Sequence, residues 1–292
     1  MKTKAVNLSG NIYKNFSFSN NSKIKFILGP CQIESHTHAM KMAVQISNIA
    51  EKCNVDFVFK ASFDKANRTS IEGRRGVGMN SGLFTLKNIK ERLKIPILTD
   101  VHETYQVAKV AEVVDIIQIP AFLCRQTDLL VEAGKTGKII NIKKGQFLAP
   151  WDMAKVANKV STTGNENILL TERGVSFGYN TLVNDMRSLV QMSETGYPII
   201  FDATHSVQQP SGLGESSGGD RKMVLPLAKA AAAVGVAGIF METHDDPDNA
   251  ASDGPNNVHI KDLEGIIRSI VEIDNITKKV YENGKTRQEQ IY

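Results

Sequence analysis

Phe57-Val58-Phe59-Lys60-Ala61-Ser62-Phe63-Asp64-Lys65-Ala66-Asn67-Arg68-Thr69-Ser70 holds the unit from which the fold can be read. Its first three residues are a short apolar run, which predicts a buried strand. Directly after it stand Lys60, Lys65 and Arg68 among Ser62, Asn67, Thr69 and Ser70. Cations mixed with hydroxyl and amide donors at the exit of a strand suit an oxyanion-rich ligand, a phosphate or a carboxylate. No glycine follows until Gly73, so this is not a P-loop, in which backbone amides cradle the anion. A charged cluster is more often a solvated loop. Lys60 weighs against that reading, because a lysine that closes a buried strand is rarely left without a partner.

The same unit recurs on both sides. Ile24–Leu28, Phe57–Phe59, Pro96–Asp100, Ile116–Ile119, Ile139–Ile142, Ile168–Leu170, Pro198–Phe201 and Gly238–Met241 are short, apolar and rich in β-branched residues. Such runs belong to strands buried on both faces of a parallel sheet. Helix-period segments follow them at 38–50, 82–93, 104–112, 127–135, 152–162, 183–194, 221–234 and 260–273. Eight alternations predict an α/β chain folded as a single (β/α)8 TIM barrel. A doubly wound sheet is the rival, but no glycine fingerprint opens the first helix. Residues 1–24 are polar and read as a short N-terminal β-hairpin turning at Ser9-Gly10-Asn11. The barrel is expected over 25–280, with a polar C-terminal tail over 281–292.

Composition excludes several classes. The chain has 292 residues and a formal charge of +4, too mild a balance to call for nucleic acid or an anionic membrane as partner. No apolar stretch approaches the ~20 residues of a membrane span, and the N-terminus lacks the apolar core of a signal peptide. Cys31, Cys53 and Cys124 are odd in number and unevenly spaced, which argues against a disulfide framework. Together these features predict a cytoplasmic protein.

In a barrel of this type the site is built at the C-terminal ends of the strands. Every apolar run here is followed by polar groups: Cys31 and Gln32; Lys60 and Ser62; Asp100 and His102; Gln118, Ala121 and Arg125; Lys143 and Lys144; Glu172 and Arg173; Asp202 and His205; Glu242, His244 and Asp253. Lys60, Lys65, Arg68, Lys143 and Arg173 form a cationic set large enough for more than one phosphate. Cys31, His205, Glu242 and Asp253 form a possible metal set, because barrel closure makes the eighth strand a neighbour of the first. Mixed sulfur, nitrogen and oxygen ligands suit Fe2+, Mn2+, Co2+ or Zn2+ better than Mg2+ or Ca2+. A free cysteine is more commonly a small buried hydrophobe, and a lone histidine more commonly a hydrogen-bonded structural one. The glycine-rich loop 206–219 and the loop 245–258 follow the last two strands, where lids and phosphate sites are often found.

Several longer motifs carry a resemblance. KASFDKANRTS at 60–70, TDVHE at 99–103, IQIPAFLCRQTDLL at 117–130, NIKKGQF at 141–147, FDATHSVQQP at 201–210 and METHDDPDNAASDGPN at 241–256 together resemble the 3-deoxy-D-manno-octulosonate 8-phosphate synthases. The resemblance runs from about Phe26 to about Ile270. It implies a homotetrameric (β/α)8 enzyme that condenses phosphoenolpyruvate with D-arabinose 5-phosphate and releases phosphate, in the supply of a lipopolysaccharide sugar. It implies that Lys60, Ser62, Lys65, Gln118, Ala121, Lys143 and Arg173 hold phosphoenolpyruvate. Asn67, Arg68 and Thr69 would hold the sugar phosphate, with Arg68 at its phosphate. Asp100, His102, Glu242 and Asp253 stand as acid–base candidates by position, and His205 is implied as a metal ligand in the reaction. The family divides into metal-dependent members with cysteine after the first strand and metal-independent ones with asparagine there. Cys31 places this chain with the former. The sister heptulosonate synthases typically carry a KPRTS-like motif where this chain has KANRTS.

Overall fold

The computed structural model describes residues 1, 3–8, 13, 16–68, 70–210 and 218–288 of the chain, the last nine by backbone alone. The Ser9-Gly10-Asn11 turn, Thr69, residues 211–217 of the first loop and residues 289–292 of the tail lie outside the described residues.

In chain order the elements are β1 (Val6–Asn7), β2 (Ser17–Phe18), β3 (Lys25–Gly29), α1 (His36–Cys53), β4 (Phe57–Lys60), α2 (Met79–Leu93), β5 (Ile97–Asp100) and α3 (Thr104–Ala111). Then come β6 (Ile116–Ile119), α4 (Thr127–Lys135), β7 (Ile139–Lys143), α5 (Met153–Ser161), β8 (Ile168–Glu172), β9 (Val175–Ser176), β10 (Leu182–Val183) and α6 (Arg187–Ser193). The last are β11 (Ile199–Asp202), β12 (Gln208–Gln209), β13 (Gly218–Gly219), α7 (Val224–Val234), β14 (Gly238–His244), β15 (Val258–His259) and α8 (Ile260–Gln288). Strands β3 to β8 pair in parallel in chain order, β8 pairs with β11 and β11 with β14. β14 then pairs with β3, Glu242 opposite Gly29, and the eight-stranded barrel closes.

Every residue of these eight strands is buried, yet a period of two is hidden inside the apolar runs. Phe26, Leu28, Phe57, Phe59, Ile117 and Ile119 pack outward against the helices. Ile27, Val58, Leu98, Ile116, Ile139, Leu169, Ile200 and Phe240 point inward and form a separate apolar layer across the lower lumen. The hairpin closes that layer from below, with Val6, Leu8, Tyr13, Phe16 and Phe18 packed against it. Above it Asn141 donates to Gln118 Oε1 at 3.0 Å and accepts from Thr171 Oγ1 at 2.6 Å. The next inward positions are Lys60, Asp100, Lys143, Asp202 and Glu242, so the functional layer is the top step of the same alternation.

Two boundaries depart most widely from the sequence reading. The helix expected over 183–194 is only Arg187–Ser193. Leu182–Val183 pair antiparallel with Val175–Ser176 instead, and the Asp185 carboxylate accepts from Arg187 N at 3.0 Å, a local turn that delays the helix. The last helix does not stop at 273 but runs to Gln288, through the expected barrel boundary at 280 and most of the expected tail. Asp274 accounts for its first extra turn: it accepts from Ile24 N at 3.0 Å and pairs with Lys278 at 2.6 Å.

Candidate active site

A cavity of about 530 Å³ opens at the C-terminal mouth of the barrel. Lys143 and Arg173 reach it from the strands, Asp100 and His102 from the end of β5, Arg68 from the loop after β4, and Asp253 from the loop after β14. Lys65, Asn67, Gln118, Ala121 and His205 line it as well. Lys60, Ser62, Cys31 and Glu242 do not line it and lie buried behind its wall. Of the residues singled out from the sequence, Thr69 is the one outside the described residues.

Lys60 is 1% exposed and donates to Glu242 Oε1 at 2.6 Å and to the Cys31 carbonyl at 2.8 Å. This packing needs Gly29, whose Cβ, if it had one, would sit 1.9 Å from the Lys60 carbonyl oxygen. Lys143 donates to Asp202, and Asp202 Oδ2 also meets His205 Nδ1 at 2.8 Å. Arg173 donates from Nη2 to Gln208 Oε1 at 2.7 Å, while its Nη1 is buried with no partner among the described residues. Gln208 in turn donates to Asp253 Oδ1 at 2.8 Å. Ser62 Oγ and Asp100 Oδ1 are likewise buried and unpartnered. Unsatisfied buried polar atoms of this kind are costly in a plain core and characteristic of a binding site. At the rim, Arg68 donates to Gln32 Oε1 and to Ser252 Oγ at 2.7 Å each, and to the Arg74 carbonyl.

The ionisation pattern follows from charges packed in a poorly solvated space. Burial works to raise the Asp100 carboxyl, but His102 at 3.1 Å, with Lys65 and Lys60, outweighs it and holds the group well below the usual carboxylate range. Asp202 is held low against burial by His205 and Lys143, and Glu242 against burial by Lys60, His205 and Lys65. Lys65 is raised in spite of burial by Cys31, Glu242, Asp100 and Asp253. Lys143 and Arg173 are lowered, chiefly by burial.

The four residues of the expected metal set converge from β3, β11, β14 and the following loop. Donor atoms of Cys31, Glu242 and Asp253 lie within 4.8 Å of one another. His205 stands beside that trio, its Nε2 3.6 Å from Glu242 Oε2. The set fits a divalent ion. Glu242 Oε2 is buried with no hydrogen-bond partner, and the Asp202 carboxylate lies beside His205 Nδ1 while Nε2 is turned toward Glu242, the carboxylate–histidine arrangement common behind metals. With no cation, burial and then Glu242 push the Cys31 thiol up, so the thiolate form depends on a positive charge arriving there.

Alternation also sorts neighbours that look alike in sequence. Lys144 follows Lys143 but faces outward, fully buried, 3.3 Å from Glu172 and donating to the Leu148 carbonyl. Glu172 accepts from Arg173 N, Gly174 N and Ser188 Oγ. That pair shapes the loop after β8 and takes no part in the cavity. Gln208 and Ser252 were not singled out from the sequence, and Gln32 only as a polar group after the first apolar run. They are neutral side chains, Gln208 at the start of β12 and the other two in loops, with no spacing signal to mark them.

Comparison with known proteins gives the relationship. The model of the DAHP synthetase I family matches residues 8–279. The chain belongs to that family. Within the DAHP synthetase I family it is 58% identical to the 2-dehydro-3-deoxyphosphooctonate aldolase of Chelativorans sp. (strain BNC1) over 261 residues, 89% of this chain and 95% of that one. It is 58% identical over 264 residues to the protein of the same name from Granulibacter bethesdensis, covering 90% and 94% of the two chains. With that of Bartonella henselae it shares 56% over 268 residues, covering 92% and 96%.

Proposed function

We infer that this chain is a transferase that condenses phosphoenolpyruvate with D-arabinose 5-phosphate and water, giving 3-deoxy-D-manno-octulosonate 8-phosphate and inorganic phosphate. The reading rests on one cavity with two cationic ends, Lys143 and Arg173 at the barrel and Arg68 at the rim, in a chain more than half identical to octonate aldolases. Two anionic substrates can then lie head to tail, each with its phosphate neutralised, which turns a bimolecular encounter into a positioned one. All the relatives described above carry the octonate name, which favours the five-carbon aldose over the four-carbon sugar of the heptulosonate synthases.

In this assignment Lys65, Gln118, Ala121, Lys143 and Arg173, which line the cavity, hold phosphoenolpyruvate, with Lys60 and Ser62 completing that pocket from directly behind its wall, while Asn67, Arg68 and Thr69 hold the sugar phosphate. C3 of the enol attacks the aldehyde carbon, water adds at C2, and the tetrahedral C2 centre expels phosphate by C–O cleavage. Lys143 and Arg173 are fixed positive charges for the carboxylate and the departing phosphate, and fixed charges cost no reorganisation as negative charge moves. Asp100 and His102, hydrogen-bonded to each other at 3.1 Å at the cavity wall, are placed to carry protons to and from the aldehyde oxygen and water. Cys31, His205, Glu242 and Asp253 hold a divalent ion, Fe2+, Mn2+, Co2+ or Zn2+. Such an ion supplies a Lewis acid for the aldehyde or a more acidic water.

No described helix is long and apolar enough to cross a membrane. A cytoplasmic homotetramer working in lipopolysaccharide sugar synthesis is the setting that accords with this reading, and sedimentation of the purified protein tests the assembly. The activity is tested by phosphate release from phosphoenolpyruvate with arabinose 5-phosphate against erythrose 4-phosphate. Turnover with the five-carbon sugar and little with the other supports the assignment. Preference for erythrose 4-phosphate moves the chain to the sister activity, and binding without phosphate release makes it a sugar-phosphate-binding barrel.

A further inference from the structure

Glu34 lies between β3 and α1 and is not part of the cavity wall. Its Oε1 accepts two hydrogen bonds, from His244 Nε2 at 3.1 Å and from Ala251 N at 2.9 Å. His244 Nδ1 accepts from Asp246 N at 3.0 Å, which assigns the ring proton to Nε2, the atom that meets Glu34. The loop after β14 is therefore pinned twice, at Asp246 by His244 and at Ala251 by Glu34. A weaker outer tie runs through His38, whose Nε2 meets Asp245 Oδ1 at 3.0 Å, and Lys41, which donates to Asp245 Oδ2 at 2.7 Å.

The residues directly after Ala251 are those the site depends on. Ser252 Oγ accepts from Arg68 and lies 3.1 Å from Cys31 Sγ. Asp253 Oδ2 lies 3.1 Å from the same sulfur, and Oδ1 accepts from Gln208. Asp253 also has φ +52°, a left-handed backbone that aspartate adopts more readily than most residues with a Cβ. Asn257 holds this segment from its far side, donating from Nδ2 to the Ser252 carbonyl at 3.1 Å, and Glu34 holds it from the near side at Ala251, the residue directly before Ser252.

We propose that Glu34 is a positioning residue: through His244 and the Ala251 amide it sets the place of Ser252 and Asp253, and so tunes metal affinity and sugar-phosphate binding. The proposal rests on the assignment of the site given under the proposed function. Glu34, His38 and His244 are also close enough to hold a cation themselves. That alternative is weaker, because both ring nitrogens of His244 already have protein partners.

The test uses the full chain with Glu34→Ala and Glu34→Gln. A glutamine keeps an oxygen that can accept from both donors, whereas alanine removes the staple. Glu34→Ala should weaken Mn2+ binding, measured directly by equilibrium dialysis, by roughly 10–100-fold. It should raise the KM for arabinose 5-phosphate while leaving that for phosphoenolpyruvate unchanged, and should speed amide exchange across 246–257. Glu34→Gln should restore all three. Equal rises in both KM values, no change in either, or a glutamine variant as impaired as alanine would overturn the proposal. So would a second equivalent of Mn2+ bound by the wild type and lost in Glu34→Ala, which makes the cluster an ion site. Arg68→Lys run in parallel separates the two levels. If that change leaves the sugar KM alone, the site assignment fails, while the exchange rates of 246–257 still report on the staple.

Discussion

Lys143 of β7 and Asp202 of β11 meet inside the barrel across the intervening β8, and the same Asp202 oxygen that takes the lysine also meets His205 Nδ1 at 2.8 Å. One carboxylate thus joins a cation of the proposed phosphoenolpyruvate pocket to a nitrogen ligand of the proposed metal. It also sets which ring nitrogen faces Glu242.

Asp202→Asn is the change that reads this relationship. The amide keeps the shape but loses the charge, so Lys143, already lowered by burial, should fall further and titrate nearer neutrality. Metal affinity should drop by roughly 10–100-fold, as expected for the loss of a group that orients a ligating histidine. The check is metal titration together with the alkaline limb of the kcat profile, which should move to lower pH. An unchanged profile would mean that Lys143 is not charged through Asp202.

Arg68 offers a cleaner separation of the two substrates. Its guanidinium reaches Gln32, Ser252 and the Arg74 carbonyl in a fan of bonds that an ammonium cannot reproduce. Arg68→Lys should raise the KM for arabinose 5-phosphate at least tenfold, about 1.4 kcal/mol, with little effect on that for phosphoenolpyruvate. Steady-state kinetics with each substrate varied in turn would show it, and equal effects on both constants would remove Arg68 from the sugar-phosphate end.

How far this site could be read from the chain depends on periodicity. Short β-branched runs announced the strands, because a parallel barrel buries both strand faces and leaves little polar punctuation except at the ends. The same uniform burial hid which end residue faces in. Lys143 and Lys144 are adjacent and chemically alike, Glu172 and Arg173 are adjacent and both charged, and only the observed register sends Lys143 and Arg173 to the cavity and Lys144 and Glu172 to a buried pair behind it. Gln32 showed only as a polar group after the first apolar run and Gln208 had no role assigned to it, since a neutral amide carries neither periodic nor charge signal. The hairpin was expected as an appendage. Its role as the floor of the barrel depends on Phe16 and Phe18 meeting inward residues of distant strands, a contact with no local signature.

The carboxylates also predict how the fold responds to acid. Asp100, Asp202 and Glu242 have folded pKa values below their unfolded ones, because neighbouring cations outweigh the cost of burial. The sign is that of a depressed acid: the stability they add is fully present above the unfolded carboxylate range of about 3.9–4.3 and is lost as pH falls toward the folded values. Thermal unfolding should therefore change little through these groups between neutral pH and about pH 5, then fall steeply below about pH 4. Asp202→Asn should flatten that acid limb. A variant with the full wild-type slope would show that Asp202 is not among the groups responsible.

The metal set gives the most demanding prediction. Cys31 Sγ, Glu242 and Asp253 are already gathered within 4.8 Å, and the sulfur is buried, so the thiol is pushed up unless a cation is present. A divalent ion would convert it to thiolate and would satisfy Glu242 Oε2, which has no hydrogen-bond partner among the described residues. Chelation should abolish phosphate release, and Mn2+, Co2+ or Fe2+ should restore it. Cys31→Ala should lose metal and rate together, because it removes a ligand and supplies nothing in its place. Cys31→Asn is the sharper variant. Asparagine is neutral at all working pH and can hydrogen-bond Ser252 and Asp253, the two groups 3.1 Å from the sulfur, so it can keep the loop in place without an ion. That variant should show weak metal binding and a residual activity indifferent to chelator. Wild-type enzyme stripped of metal, verified by elemental analysis, and still turning over at its full rate would sink the assignment of Cys31, His205, Glu242 and Asp253.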